Sequence, residues 1–356
     1  MKSSHDFEIG IQLHLPTFRH VALPELIDFG HMAHMGGISQ LWVTDNLRSR
    51  NQFVVLTALA AHVPLKLGTA VTVQYFRNPV DVADAVAAIT ELMEGREFGL
   101  GFARGNRNTP QYVNVVKPIS MLRETAQSVR RLLNGEAVRF TDYPTVAEYF
   151  NFVADTPFQL NFAPKSPVLT YCGGNGPKAL SVGGSSMDGI IFGGTFQSVA
   201  RAGHMGSLMK IAEDAAAAAG RGPLRKVAEI KLSVARDGKA AREFVKHSVA
   251  RRIVSLRESG YSDDDYRKLG VDPAHIDRLL EAEKSSGGFD AHLDLVTDAM
   301  IDALFVAGDV AACRDKMREV SAMARAYGFE QLMFSELGPD LKQGLQLLCD
   351  DILPFL

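Results

Sequence analysis

Short apolar runs alternate with amphipathic helical segments along the whole chain, eight times over, and few architectures accept that pattern. The apolar runs fall at residues 7–13, 41–43, 65–73, 98–102, 168–172, 189–192, 227–234 and 332–334. Helical segments between them carry recognisable stops. A helix at 24–35 is ended by Gly36-Gly37, and one at 52–62 leads into the third run. The next has Asn78 as cap, Pro79 in the first turn and Gly95 as stop, with Val82, Val86, Ile89 and Met93 on one face. Another runs over 120–134 to Gly135, and a closing helix spans 341–353. The pattern predicts an α/β fold, a (β/α)8 TIM barrel, with an open doubly wound sheet as the rival.

Two stretches break the rhythm. Residues 136–166 are aromatic and poorly periodic, and read as an insertion after strand 4 and its helix. Residues 238–304 are helical and charged, an insertion after strand 7, with Ser285-Ser286-Gly287-Gly288 as a flexible point. Such insertions serve as lids at a barrel mouth or as shielding helices. The expected organisation is one domain over residues 1–356.

Composition narrows the partners. The chain is 46% hydrophobic and 22% charged, with a formal net charge of -3, so it carries no electrostatic footprint for nucleic acid or an anionic membrane. Cys172, Cys313 and Cys349 are too sparse for a disulfide framework or a Cys-based zinc site. The opening MKSSHDFEIGIQ has no apolar run of signal length, and no later segment is long and uncharged enough to span a bilayer. The expected compartment is the cytoplasm.

A barrel places its chemistry at the C-terminal ends of the strands. Those ends carry His14, then Asp45 and Asn46, then Ala70-Val71-Thr72 with Thr69 before them, then Arg104. The fifth ends in Gly173, Gly174, Asn175, Gly176 and Lys178, the sixth in Gly193 and Gly194. Glycine loops before a helix present N–H groups to an anion, so these two loops point to a phosphate; tight turns alone are the bland explanation. No Gly-x-Gly-x-x-Gly follows the first strand and no Gly-x-x-x-x-Gly-Lys-Ser/Thr occurs, which argues against dinucleotide and nucleoside-triphosphate sites. No His-x-His follows the first strand, and His31 and His34 read as helix surface, so no metal site is expected.

Taken in order, these segments resemble the luciferase-like monooxygenase superfamily of flavin- and deazaflavin-dependent oxidoreductases. The marks are Gly37 to Asn46 around Trp42, Leu67 to Thr72 followed by Arg77-Asn78-Pro79, and Gly95-Arg96 through Asn106. Further marks are Arg123-Glu124, Leu132 to Glu136, Gly176-Pro177-Lys178-Ala179-Leu180, Asp188-Gly189, Ala307-Gly308-Asp309 and Gly338-Pro339-Asp340. The third-strand and C-terminal marks are most similar to the coenzyme F420-dependent branch.

The resemblance implies a bound ring at the strand ends, a small-molecule substrate and a homodimer. It implies a cis peptide within Thr69-Ala70-Val71, with Ala70 and Val71 backing the ring and His14, Asn46 and Arg104 around its open side. The family often has histidine where this chain has Asn46, so a histidine acid/base role does not carry over to that position. Asp45 is expected to contact ligand or cap a helix, and Arg96 to close an ion pair at the barrel bottom. A basic groove for an acidic cofactor tail would draw on Lys178, Arg104, Arg107, Arg201 and Lys210. The implied chemistry is hydride transfer with a deazaflavin. The alternative is an FMN-dependent two-component monooxygenase that uses O2 and reduced flavin from a partner flavin reductase. A non-catalytic flavin-binding barrel and a metal-dependent barrel hydrolase complete the alternatives.

Overall fold

The computed structural model describes residues 6–153, 155–286 and 288–356. The expectations for residues 1–5 and for Gly287 lie outside them. The long strands are β1 (Glu8–Leu13), β2 (Gln40–Val43), β3 (Lys66–Val73), β4 (Phe98–Ala103), β5 (Val168–Cys172), β6 (Gly189–Phe192), β7 (Arg225–Val234) and β8 (Gln331–Leu337). Hydrogen-bonded neighbours run β7-β8-β1-β2-β3-β4-β5-β6, and β6 pairs in addition with β7, so the eight strands close into a parallel barrel. The open-sheet rival is excluded by that closure. A three-residue strand, Val306–Gly308, adds to the C-terminal end of β7, with Val306 opposite Leu232. By contact the chain divides into two compact units, residues 9–192 with 208–227, and residues 1–8 with 193–207 and 228–356.

Helix starts follow the residues that satisfy orphan N–H groups. The Asn51 side chain accepts from Phe53 N at 2.9 Å to begin Gln52–His62. Asn78 accepts from Asp81 N at 2.9 Å, with Pro79 in the first helical turn. That helix stops at Thr90, earlier than the sequence suggested; Glu94 and Gly95 then take positive φ of 51° and 83° in the turn before β4. The closing helix is α-helical over Leu341–Leu347 and continues as a wider π turn, Leu348–Ile352, and a tighter 3-10 turn, Leu353–Phe355. Among the described residues no helix is long and apolar enough to cross a membrane.

Arg96 corrects an expectation. Among the described residues it makes no ion pair; its guanidinium donates to the carbonyls of Met93 (2.7 Å), Leu92 (3.0 Å), Leu65 (3.2 Å), Ala60 (3.2 Å) and Val63. One planar group thus ties together the chain just before β3 and β4.

The first insertion has its own small core. Phe140 stacks on Phe152 at 4.1 Å, and Phe158 meets both edge-on at 5.4 and 5.2 Å. Short strands Val138–Arg139 and Pro157–Phe158 pair antiparallel around it. Buried Glu124, on the helix Pro118–Leu133, accepts from Thr145 N and Oγ1 (both 2.7 Å) and Val146 N (3.1 Å), capping the helix Pro144–Phe150. The second insertion forms helices at Gly238–Glu258, Asp263–Lys268, Pro273–Ser286 and Asp298–Leu304.

The core of the larger unit is organised by one row of the sheet. Trp42 of β2 lies opposite Gly68 of β3, which lies opposite Gly99 of β4. The indole is fully buried and meets the Tyr171 ring of β5 edge-on at 5.4 Å. It crosses two strands to do so, which only the concave side of a curved sheet allows. A Cβ on Gly68 would come within 2.7 Å of the indole, and one on Gly99 within 2.6 Å of Trp42 Cζ3. Tyr171 repeats the device against Gly189 of β6, where a Cβ would stand 2.6 Å from its ring. Gly99→Ala is therefore expected to cost about 2–3 kcal/mol through overpacking, measured by urea unfolding; an unchanged midpoint would mean that the indole has room to move.

Candidate active site

The C-terminal half of β3 departs from regular pairing. Thr69 lies opposite Leu100 and Thr72 opposite Phe102, so β3 carries one extra residue there. The peptide joining Ala70 and Val71 is cis, within the segment where the resemblance placed one. A bulge leaves backbone groups without ladder partners, and each must be met another way. Thr69 Oγ1 accepts from Gly101 N at 3.0 Å and donates to Gly101 O at 3.1 Å. The Gln12 side chain donates to Ala70 O at 3.1 Å, and Asp45 N donates to Val71 O at 3.2 Å. Val73 N donates to Asp45 Oδ2 at 3.1 Å.

Thr69 and Asp45 are thus spent on the bulge. Asp45 neither caps a helix nor reaches solvent: its side chain is fully buried and pairs with Arg77 at 2.6 Å. Arg77 in turn lies over the Phe53 ring at 5.3 Å. Burial raises the Asp45 carboxyl above its ordinary range, and the hydrogen bond and charge of Arg77 offset only part of that. Its Oδ1 is buried and has no hydrogen-bond partner among the described residues. Asp45 acts here as a positioning residue for β3.

The remaining predicted residues lie on the loops around this bulge. His14, half-buried after β1, shares a hydrogen bond with Thr17 Oγ1 at 2.9 Å through Nδ1. Asn46 Oδ1 accepts from Arg48 N at 3.1 Å and from Ser49 Oγ at 3.5 Å, so its carbonyl shapes its own loop. Ala70 is buried and Val71 half-buried. Arg104 is exposed after β4, as is Lys178 after β5.

The glycines divide into two kinds. A Cβ on Gly173 would strike the Val71 side chain, and one on Gly174 would stand 2.7 Å from Ala179 Cβ. On Gly101 it would stand 3.1 Å from Val71 Cγ1. These positions are small because the protein itself fills the space. Gly176 differs: it caps the helix Pro177–Ser186 with an ordinary φ of -81°, and a Cβ there meets nothing within 4 Å. Internal packing gives no reason for its being glycine. In the other unit, Gly193 O accepts from Thr195 N at 2.6 Å and Phe196 N at 3.1 Å. A Cβ on Gly194 would strike the Lys231 stem, and Lys231 is itself buried between Glu229 (2.7 Å) and Glu336 (3.3 Å). Gly194 therefore has a sufficient packing reason.

The expected basic groove loses two members. Arg201 is committed to Glu319 (2.9 Å) and to Asp302 O (2.6 Å), and Lys210 to Asp214 (2.8 Å). Buried Lys231 and Glu229, with half-buried Glu336, are charges that sequence reading missed. Lys231 and Glu229 stand two apart within the apolar stretch of β7, and that was the available signal.

Parallel barrel, bulged third strand and glycine loop at a helix start define a class in which ligands sit on the strand ends. The chain belongs to the luciferase-like monooxygenase family, whose model matches residues 5–326. It is 28% identical over 341 residues to a 5,10-methylenetetrahydromethanopterin reductase of Archaeoglobus fulgidus, covering 93% of this chain and 96% of that protein. It is 24% identical over 368 residues to the corresponding protein of Methanopyrus kandleri, covering 98% of each. Among solved structures it resembles the coenzyme F420-dependent tetrahydromethanopterin reductase from Methanopyrus kandleri, with TM-score 0.76, 21% identity and coverage of 98% and 99%. An F420-dependent secondary alcohol dehydrogenase, in complex with an F420-acetone adduct, gives TM-score 0.73 at 20% identity, again covering 98% and 99%.

The Asp45–Arg77 pair gives a pH-dependent expectation. Arg77→Met removes the charge that holds the Asp45 proton affinity down. The folded state then keeps its proton to higher pH than the unfolded chain does. The unfolded chains titrate alike at this position, so the loss is smallest where both folded proteins hold the Asp45 proton, at about pH 4 and below. It grows as pH rises, reaching about 3–5 kcal/mol near neutrality. Urea unfolding at both pH values checks this, and an equal loss at each would refute it.

Proposed function

We propose that this chain is an oxidoreductase that moves hydride between coenzyme F420 and a small organic substrate. The observation that carries the reading is the match, over nearly the full length of both chains, to the methylenetetrahydromethanopterin reductases. The family model runs across both compact units, which supports reading residues 1–356 as one barrel domain.

The residues present fit such a group. Gly174, Asn175 and Gly176 offer backbone at a helix start to a phosphate, and the open position at Gly176 leaves space for it. Gly193 and Gly194, in the other unit, are a second glycine turn offered to a phosphate by the sequence alone, and Gly194 is already accounted for by its packing on Lys231. Lys178, Arg104 and Arg107 are the exposed cations for an acidic tail. Ala70 and Val71 back the ring, with Thr69 fixing the bulge behind them. His14 and Asn46 are the polar groups offered to substrate, and Asp45 holds Asn46 and β3 in register through Val73.

A bound deazaflavin supplies the hydride-accepting or hydride-donating carbon. The protein's share is orientation, exclusion of water and control of protons. The His14 imidazole, oriented through Nδ1 by Thr17, is the proposed proton-exchanging group. The substrate is a small organic molecule.

Fluorescence titration of the purified protein with oxidised coenzyme F420 and with FMN tests the cofactor. Binding of F420 is expected; tight FMN binding with none for F420 would replace hydride transfer by an oxygen-dependent monooxygenase reaction. Gly176→Val places its Cβ in open space, so the protein should still fold, with a loss of about 1 kcal/mol at the helix cap, while its F420 affinity falls about tenfold or more. Unchanged affinity in that variant would remove the phosphate from this loop.

A further inference from the structure

Within the larger unit, an open cavity of about 480 Å³ lies between the start of the helix Pro79–Thr90 and the chain leaving the aromatic core of the first insertion. Val80, Phe152, Phe158, Leu160 and Phe162 supply its apolar lining, and each is half-buried. Phe152 spends one ring face on Phe140, stacked at 4.1 Å. The Phe162 ring has no ring contact among the described residues.

The charge on this lining has one sign. Asp81 and Asp84 stand three apart on the helix, hence on one face, and both are exposed. No lysine or arginine among the described residues lines the cavity. Neither carboxylate has a hydrogen bond or an ion pair among the described residues. Asp81 has a local reason for its charge, since the first helical turn favours a carboxylate. Asp84, a turn further on, gains less from the helix start and repels Asp81. The neutral polar groups do not offset the pair. Asn78 Oδ1 is taken by Asp81 N at 2.9 Å, and Gln159 Nε2 donates to Gly135 O at 2.7 Å, so neither amide brings a cation.

We propose that this groove is a binding site for a small organic cation, an ammonium group carried on an apolar or aromatic body. Asp81 and Asp84 meet the charge, and the aromatic and aliphatic lining covers the body. Aromatic ring faces attract a cation within about 6 Å of the centroid. The volume falls in the small-molecule range of roughly 300–1,000 Å³. None of the residues assigned to the candidate active site lines the groove, so the site does not depend on which cofactor the strand ends take.

The test titrates benzyltrimethylammonium chloride into the whole protein, at ionic strength held constant with sodium chloride, and reads heat by calorimetry. Saturable binding is expected. Benzyl alcohol, which keeps the ring and lacks the charge, should bind at least about tenfold more weakly. The double variant Asp81→Asn, Asp84→Asn should keep the parent's circular dichroism and lose about tenfold in affinity for the cation. Asp84→Asn alone, away from the first turn, should lose about threefold and carries the test if the double variant is destabilised. Three results would overturn the proposal: no saturable binding of the cation, equal affinity for benzyl alcohol, or parental affinity in the aspartate variants.

Discussion

The Trp42 indole lying along a row of two glycines is the contact on which the larger unit depends. A buried aromatic removes roughly 150–250 Å² from water, which amounts to about 4–6 kcal/mol at about 25 cal/mol per Å². That gain requires Gly68 and Gly99 to present bare backbone, because the ring occupies the volume where their side chains would stand. The edge contact with Tyr171, and the seat of Tyr171 on Gly189, pass the same packing from β2 to β6. Strand register, curvature and glycine placement are thereby one problem with one solution.

The bulge of β3 sits on top of that packing. Its irregular backbone is met by side chains from β1, β2 and β3 itself: Gln12, Asp45 and Thr69. The cost of burying Asp45 is offset partly by Arg77, so an ion pair sets the shape of the third strand. Polar side chains around the bulge therefore serve the backbone before they serve anything bound at the strand ends.

Much of this was legible in the sequence, and the failures have physical causes. Strand and helix positions follow from periodicity and punctuation, and Asn78-Pro79 and Asn51 mark helix starts by local chemistry alone. The glycine loop after β5 and the irregular third strand were visible as motifs. The tertiary partners of Asp45, Arg96 and Thr69 were hidden, because Arg77, the carbonyls around residues 60–65 and Gly101 come from distant parts of the chain, and the ion pair expected of Arg96 failed for that reason. The meaning of each glycine was hidden for the same reason. Gly174 and Gly176 look alike in a string of letters, and only tertiary neighbours separate a position that packing fills from one it leaves open.

The contacts of Val71 with Gly101 and Gly173, like those of Trp42 with Gly68 and Gly99, carry an evolutionary consequence. At each cluster the volume is shared, so the positions do not drift independently. A larger residue at 173 is admissible only after 71 has become smaller, and one at 99 only after 42 has given up its ring, whereas 101 and 68 are closed also by the backbone oxygens of Thr69 and Gly99. The order of substitution matters, and the reverse order passes through an overpacked intermediate. Such a chain changes its third strand in correlated steps, and the mutually packed rings of Phe140, Phe152 and Phe158 couple the first insertion in the same way.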